Sequence, residues 1–87
     1  MPRARSDHLI DAFRRVLKTE RKRVGLTQED LAFQCDIDRT FVGLLESGKR
    51  QPSLSVFFAL ARGLQLTPQA LLELVDQQLR SLSEPQN

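Results

Sequence analysis

The sequence predicts an all-α domain, on three observations. After Asp7, apolar residues recur at spacings of three and four almost throughout, and no window alternates with the period of two that a half-buried strand requires. Helix-starting Ser, Thr and Asp and helix-stopping Gly punctuate that pattern at intervals of about one helix. At 87 residues and 40% apolar, the chain has enough material for one core and too little for two.

The first helix is predicted from Asp7 to about Val24, capped by Ser6 or Asp7, with Leu9, Phe13, Val16, Leu17 and Val24 on its inner face. Gly25 stops it as a left-handed cap. Thr27 followed three residues later by Asp30 is a near capping box, opening a second helix that runs through about Cys35 and buries Leu31, Ala32 and Cys35. Asp36-Ile37-Asp38 reads as a tight turn, with Asp38 capping a third helix from about Arg39 to Ser47 that Gly48 ends. Gln51-Pro52-Ser53 is the next break. Ser53 caps a fourth helix whose inner face carries Val56, Phe57, Leu60 and Ala61 and which ends near Gly63. Thr67-Pro68 opens a fifth helix, with Thr at the cap and Pro at the first helical position, where its missing N–H costs nothing. That helix runs to about Leu82. Residues 1–6 and 83–87, polar or Pro-containing, are expected to be a flexible arm and tail around a domain spanning residues 7–82.

Composition excludes several functions. One cysteine, Cys35, and one histidine, His8, far apart in sequence, allow neither an internal disulfide nor a zinc site. Cys35 is expected to be a small core residue and His8 a surface one. No Ser-His-Asp or Cys-His set, metal cluster or Gly-rich phosphate loop is present, so no catalysis and no cofactor are expected. No apolar run approaches the roughly 20 residues of a membrane span, and residues 1–6 lack the apolar stretch of a signal peptide. A cytoplasmic, nucleoid-associated protein is expected. Net charge is only +2, but eleven of the thirteen Lys and Arg lie within residues 1–50, which puts the basic footprint in the first half.

Two short helices joined by a turn of about three residues, the second with small and polar exposed residues, form the unit that places a helix in the DNA major groove. Here the unit covers about residues 27–47. The N-terminus of its first helix, with free N–H groups and a positive dipole end, suits a phosphate, and Gln28 adds a side-chain donor there.

The residues that carry a family resemblance are Arg21, the run Gly25-Leu26-Thr27-Gln28-Glu29-Asp30-Leu31-Ala32, and the run from Leu45 to Leu54. Together they resemble the phage repressor and Cro (XRE-type) helix-turn-helix regulators, over about residues 13–72, and in size the short controller proteins of restriction-modification systems. The resemblance implies a compact five-helix, lambda-repressor-like DNA-binding domain with an extended C-terminal helix. It implies that Gln28 contacts the DNA backbone or an outer base, and that Arg39, Thr40 and Leu44 face the bases. In those positions Arg39 would fork onto a guanine and Leu44 would pack on a thymine methyl. Lys49 and Arg50 fall in the loop that follows the phosphates, and Arg21 and Glu46 match a structural salt bridge. Where the turn of this family commonly holds Gly, this chain has Asp36, so the left-handed position there is expected to be strained or shifted. Gly43, inside the recognition helix at a cost of about 1 kcal/mol against Ala, suggests close backbone approach to DNA. Phe41 either wedges against sugar and base edges or packs under the helix. Arg14, Arg15, Lys18, Lys22 and Arg23 read mostly as a solvated face of the first helix.

The fifth helix carries an apolar excess. Leu71 and Leu72 suffice to close the core, yet Leu74, Val75, Leu79 and Leu82 continue a wide apolar arc. A second copy is its expected cover, through Leu71, Leu74, Val75, Gln78, Leu79 and Leu82; the alternative is that the arc folds back on Leu9 and Ile10. The expected function is a sequence-specific transcription regulator, a repressor or autoregulator, binding a palindromic double-stranded operator as a homodimer with no membrane partner. The alternative is an antitoxin that binds a toxin protein and represses its own operon.

Overall fold

The structure, a computed structural model, describes residues 7–83. The expected arm (1–6) and all of the expected tail except Ser83 lie outside the described residues. Five helices follow one another: α1 (Asp7–Arg23), α2 (Gln28–Cys35), α3 (Arg39–Glu46), α4 (Leu54–Gly63) and α5 (Pro68–Ser83). Ser83, expected in the tail, is the last residue of α5.

The starts of α2, α4 and α5 follow the predicted chemistry and that of α3 does not; Ser6, offered as a cap for α1, lies outside the described residues. Thr27 Oγ1 accepts the Asp30 N–H and the Asp30 carboxylate accepts the Thr27 N–H, both at 3.0 Å, completing the capping box. Ser53 accepts the Val56 N–H at 3.1 Å and Thr67 the Ala70 N–H at 3.0 Å. Asp38 has the extended backbone of a cap residue, but its side chain makes no capping hydrogen bond, so the cap expected of it is not made.

The ends share one geometry. A residue with positive φ (Gly25, Asp36, Gly48, Gln65) is followed by one whose N–H reaches five residues back: Leu26 to Arg21 O, Ile37 to Ala32 O, Lys49 to Leu44 O and Leu66 to Ala61 O, at 2.8–3.1 Å. Leu26, Ile37 and Leu66 then pack on the core, so each stop also turns an apolar residue inward. Asp36 takes the left-handed conformation at φ 54, ψ 46, so the turn is not shifted for want of a glycine. Asp is among the residues that tolerate this region. Gly63 is not the left-handed residue after α4; Gln65 is. A Cβ on Gly63 would lie 2.7 Å from Cys35 Sγ and 3.0 Å from Leu31 Cδ1, so this glycine lets α4 approach α2.

The core is built from Ala12, Phe13, Val16 and Leu17 of α1, Leu31, Ala32 and Cys35 of α2, Val42 and Leu45 of α3, Leu60 and Ala61 of α4, Leu64, and Leu71 and Val75 of α5. Rings of Phe13 and Phe57 meet at 6.1 Å and join α1 to α4. Leu9, expected inside, is 39% exposed; Ile10, one residue further round the helix, takes the buried place.

α5 lies along α1, its most extensive partner. Leu71 and Val75, expected at a dimer face, are therefore buried in the chain's own core, and Leu74, Leu79 and Leu82 pack against it partly covered. Gln78 is half-buried beside Val16, Thr19 and Glu20 of α1. Leu72, expected to close the core, is instead 59% exposed, about 100° round the helix from Leu71. No helix among the described residues is long and apolar enough to cross a membrane.

Candidate nucleic-acid interface

α2 and α3 are joined by the three-residue turn Asp36-Ile37-Asp38, and their relative pose is held from below and above. From below, Leu31, Ala32, Val42 and Leu45 are buried against α1 and α4. From above, one buried polar network ties four segments together. Arg21 of α1 donates from Nε to Glu46 Oε2 at 2.6 Å, from Nη2 to Glu46 Oε1 at 3.0 Å and from Nη1 to the Leu26 carbonyl at 2.8 Å. Gln28, the first residue of α2, donates from Nε2 to Glu46 Oε1 at 3.1 Å.

The two-pronged bond to Glu46 raises the Arg21 pKa further, against the opposing effect of burial. Both charges are buried, and among the described residues no buried side-chain nitrogen or oxygen lacks a partner. The pair expected from the sequence is thus present; its hydrogen bond to Gln28 was not foreseen.

Above this network sit the groups that face solvent. Arg39 and Thr40, at the start of α3, are exposed, and Arg39 shares one depression with Arg21, Thr27, Gln28 and Glu29. The structure thus brings Gln28 and Arg39 together. Leu44 and Gly43 are half-buried on α3, and Lys49 and Arg50 are exposed just beyond it. Phe41, left open between wedge and core, is half-buried and packed against the core cluster. A Cβ at Gly43 would meet only Gln28 Oε1, at 3.8 Å, an ordinary contact, and no positive φ is needed there. Nothing among the described residues requires this position to be glycine.

Most of the basic residues of α1 are occupied nearby. Arg14 and Arg15 both pair with Asp11, and Arg23 pairs with Glu20 at 2.6 Å and donates to the Leu64 carbonyl. Lys18 and Lys22 remain exposed. Cys35 is buried, its thiol donating to the Ala59 carbonyl at 3.3 Å, and burial pushes its pKa up, which keeps it a core thiol.

Two apolar surfaces escaped the sequence reading. Phe33 of α2 is 87% exposed, bordered by Leu26, Glu29, Asp30 and Gln34. Leu54 (74% exposed), Phe58 and Leu72 line a groove between α4 and α5, with Pro52, Phe57 and Pro68. Helical periodicity alone assigned Leu54 and Phe58 to no face, because α4 is apolar nearly all round.

Comparison with known proteins agrees with this geometry. Residues 17–71, from mid-α1 to the start of α5, match the helix-turn-helix family HTH_3. The chain belongs to this helix-turn-helix family. The helix-turn-helix chain is 37% identical over 49 residues to the control protein C.BamHI of Bacillus amyloliquefaciens, an alignment covering 56% of this chain and 60% of that protein's length. It is also similar to the restriction-modification controller protein C.AhdI of Aeromonas hydrophila, at 39% identity with a TM-score of 0.68, over 71% of this chain and 94% of the other. A third similarity is to the controller protein C.Esp1396I, solved as a tetramer in complex with its natural 35 base-pair operator. There the identity is 27% and the TM-score 0.78, over 86% of this chain and 97% of the other.

Proposed function

We propose that this helix-turn-helix protein is a sequence-specific DNA-binding transcription regulator, a repressor or autoregulator that acts in the cytoplasm by occupying an operator, with no catalytic step. The observation that carries the reading is the α2–α3 unit itself. An exposed Arg39 and Thr40 head α3 beside a Gln28 held in place by Glu46, with Lys49 and Arg50 following. Arg39 matches the paired acceptors of a guanine edge, and Lys49 and Arg50 suit phosphates. Gly43, which no internal contact explains, leaves the recognition helix free to approach the groove.

The active form is a homodimer on a palindromic site. Its interface is the groove between α4 and α5, because the apolar arc of α5 is already spent on α1. A symmetric dimer sets two recognition helices about 34 Å apart, one turn of DNA. Selection from random duplex DNA at physiological salt, with sequencing of the bound pool, tests the whole reading. It should enrich an inverted repeat with half-sites about one turn apart. Retention by salt-labile, sequence-independent binding alone overturns it.

A further inference from the structure

We propose that Glu46 is a positioning residue for DNA recognition, holding the Gln28 carboxamide in the orientation that meets DNA, and that the Arg21–Glu46 pair is more than a strut between helices. The inference rests on the reading of Gln28 as a DNA contact. Glu46 Oε1 accepts two hydrogen bonds, from Arg21 Nη2 at 3.0 Å and from Gln28 Nε2 at 3.1 Å. A carboxylate offers acceptors only, so the amide nitrogen of Gln28, and not its oxygen, must face it. This fixes which way the carboxamide points. One Nε2 hydrogen is used; the second hydrogen and Oε1 remain.

The oxygen lies over α3, 3.8 Å from where a Cβ would stand on Gly43. Gln28 therefore projects from α2 toward the face of the recognition helix, within ordinary contact distance of a Cβ at position 43. Arg21 in turn holds Glu46 through two prongs and anchors itself on the Leu26 carbonyl, just before α2. The relay runs Arg21, Glu46, Gln28, and ends on a single free N–H donor beside an acceptor. It takes a hydrogen-bond acceptor of DNA, either a phosphate oxygen or a base nitrogen such as a purine N7.

The test uses two neutral replacements of the buried pair, so that neither leaves an unpaired buried charge. Arg21→Met with Glu46→Met removes the acceptor for Gln28. Arg21→Gln with Glu46→Gln keeps an amide oxygen in its place. Affinity is measured for the inverted-repeat duplex recovered by selection, alongside thermal melting of each variant. The Met pair should weaken binding about three- to tenfold, the worth of one hydrogen bond, while the Gln pair stays near the parent. Added to Gln28→Ala, the Met pair should cause no further loss. Equal losses with and without Gln28 overturn the proposal, as does a Gln pair that binds as weakly as the Met pair while melting like the parent. Should the Met pair not fold, the side-chain amide protons of Gln28 in the parent decide by NMR: a Glu46-bound Nε2 hydrogen should resonate downfield of its partner and exchange slowly, and two free-amide resonances overturn the proposal.

If Gln28→Ala itself leaves affinity unchanged while Arg39→Ala abolishes it, the role of Gln28 is wrong and the regulator reading stands. Substituted operators separate the two acceptors. A phosphate contact makes the Gln28→Ala loss uniform across sequences, and a base contact confines it to one position.

Discussion

At the scale of single residues, the informative positions are those whose identity the chain's own packing does not explain. Gly43 is the clearest. It costs α3 about 1 kcal/mol of helix propensity against Ala, has no positive φ and has room for a methyl group. Gly43→Ala should therefore stabilise the free protein by up to about 1 kcal/mol in denaturant unfolding while weakening operator binding, because the methyl stands between α3 and the groove floor. A variant that gains stability and binds as tightly as the parent would show that the backbone does not approach DNA there. Position 36 carries a related lesson. A left-handed residue after α2 is required, and Asp36 supplies it at the position where the resemblance led to an expectation of glycine. The demand is for a tolerated backbone conformation, which more than one residue type meets.

At the scale of elements, helix starts were legible because they are local chemistry. Thr27, Ser53 and Thr67 each bind an N–H three residues on, and all three can be named from sequence. The buried face of α2, Leu31, Ala32 and Cys35, was legible for the same reason of spacing, whereas Val42 and Leu45 of α3 were not named as buried in advance. What escaped was contact between helices far apart in sequence, as Gly63 and Leu72 illustrate. Gly63 reads as a stop signal, but its lack of a Cβ matters because Cys35 and Leu31 lie against it. Gly63→Ala is accordingly expected to destabilise by about 1–3 kcal/mol, as overpacking does, and Cys35→Ala in the same chain should recover part of the loss by vacating the Sγ position. If Gly63→Ala melts at or above the parent temperature, α2 and α4 are not held as closely as the structure has them. In the candidate site, the outward places of Arg39 and Thr40 were implied by the family resemblance, and both are exposed. The Gln28–Glu46 bond, spanning eighteen positions, was not legible, because no local rule sets which side chain a buried carboxylate will hold.

At the scale of the whole molecule, the question is which apolar surface the chain leaves for a second copy. Sequence periodicity points to the arc of α5, but a helix of this length in a small domain must first cover α1. That use consumes Leu71 and Val75 entirely and Leu74, Leu79 and Leu82 in part. Apart from the separate Phe33 on α2, what remains among the described residues is chiefly the groove formed by Leu54, Phe58 and Leu72. The two surfaces respond differently to a charge. Leu54→Asp with Leu72→Asp places carboxylates at positions that are already largely exposed in the monomer, so its fold should persist while sedimentation shifts to a single chain. With the half-sites no longer linked, operator affinity should fall on the order of a hundredfold or more, the advantage that tethering two binding units confers. Leu79→Asp instead buries a charge in the seam between α1 and α5 and should lower the melting temperature first. If Leu79→Asp dissociated the dimer at an unchanged melting temperature while the Leu54 and Leu72 pair remained dimeric, the interface would lie on α5 as periodicity suggested. The recognition helices would then be spaced by a different two-fold axis.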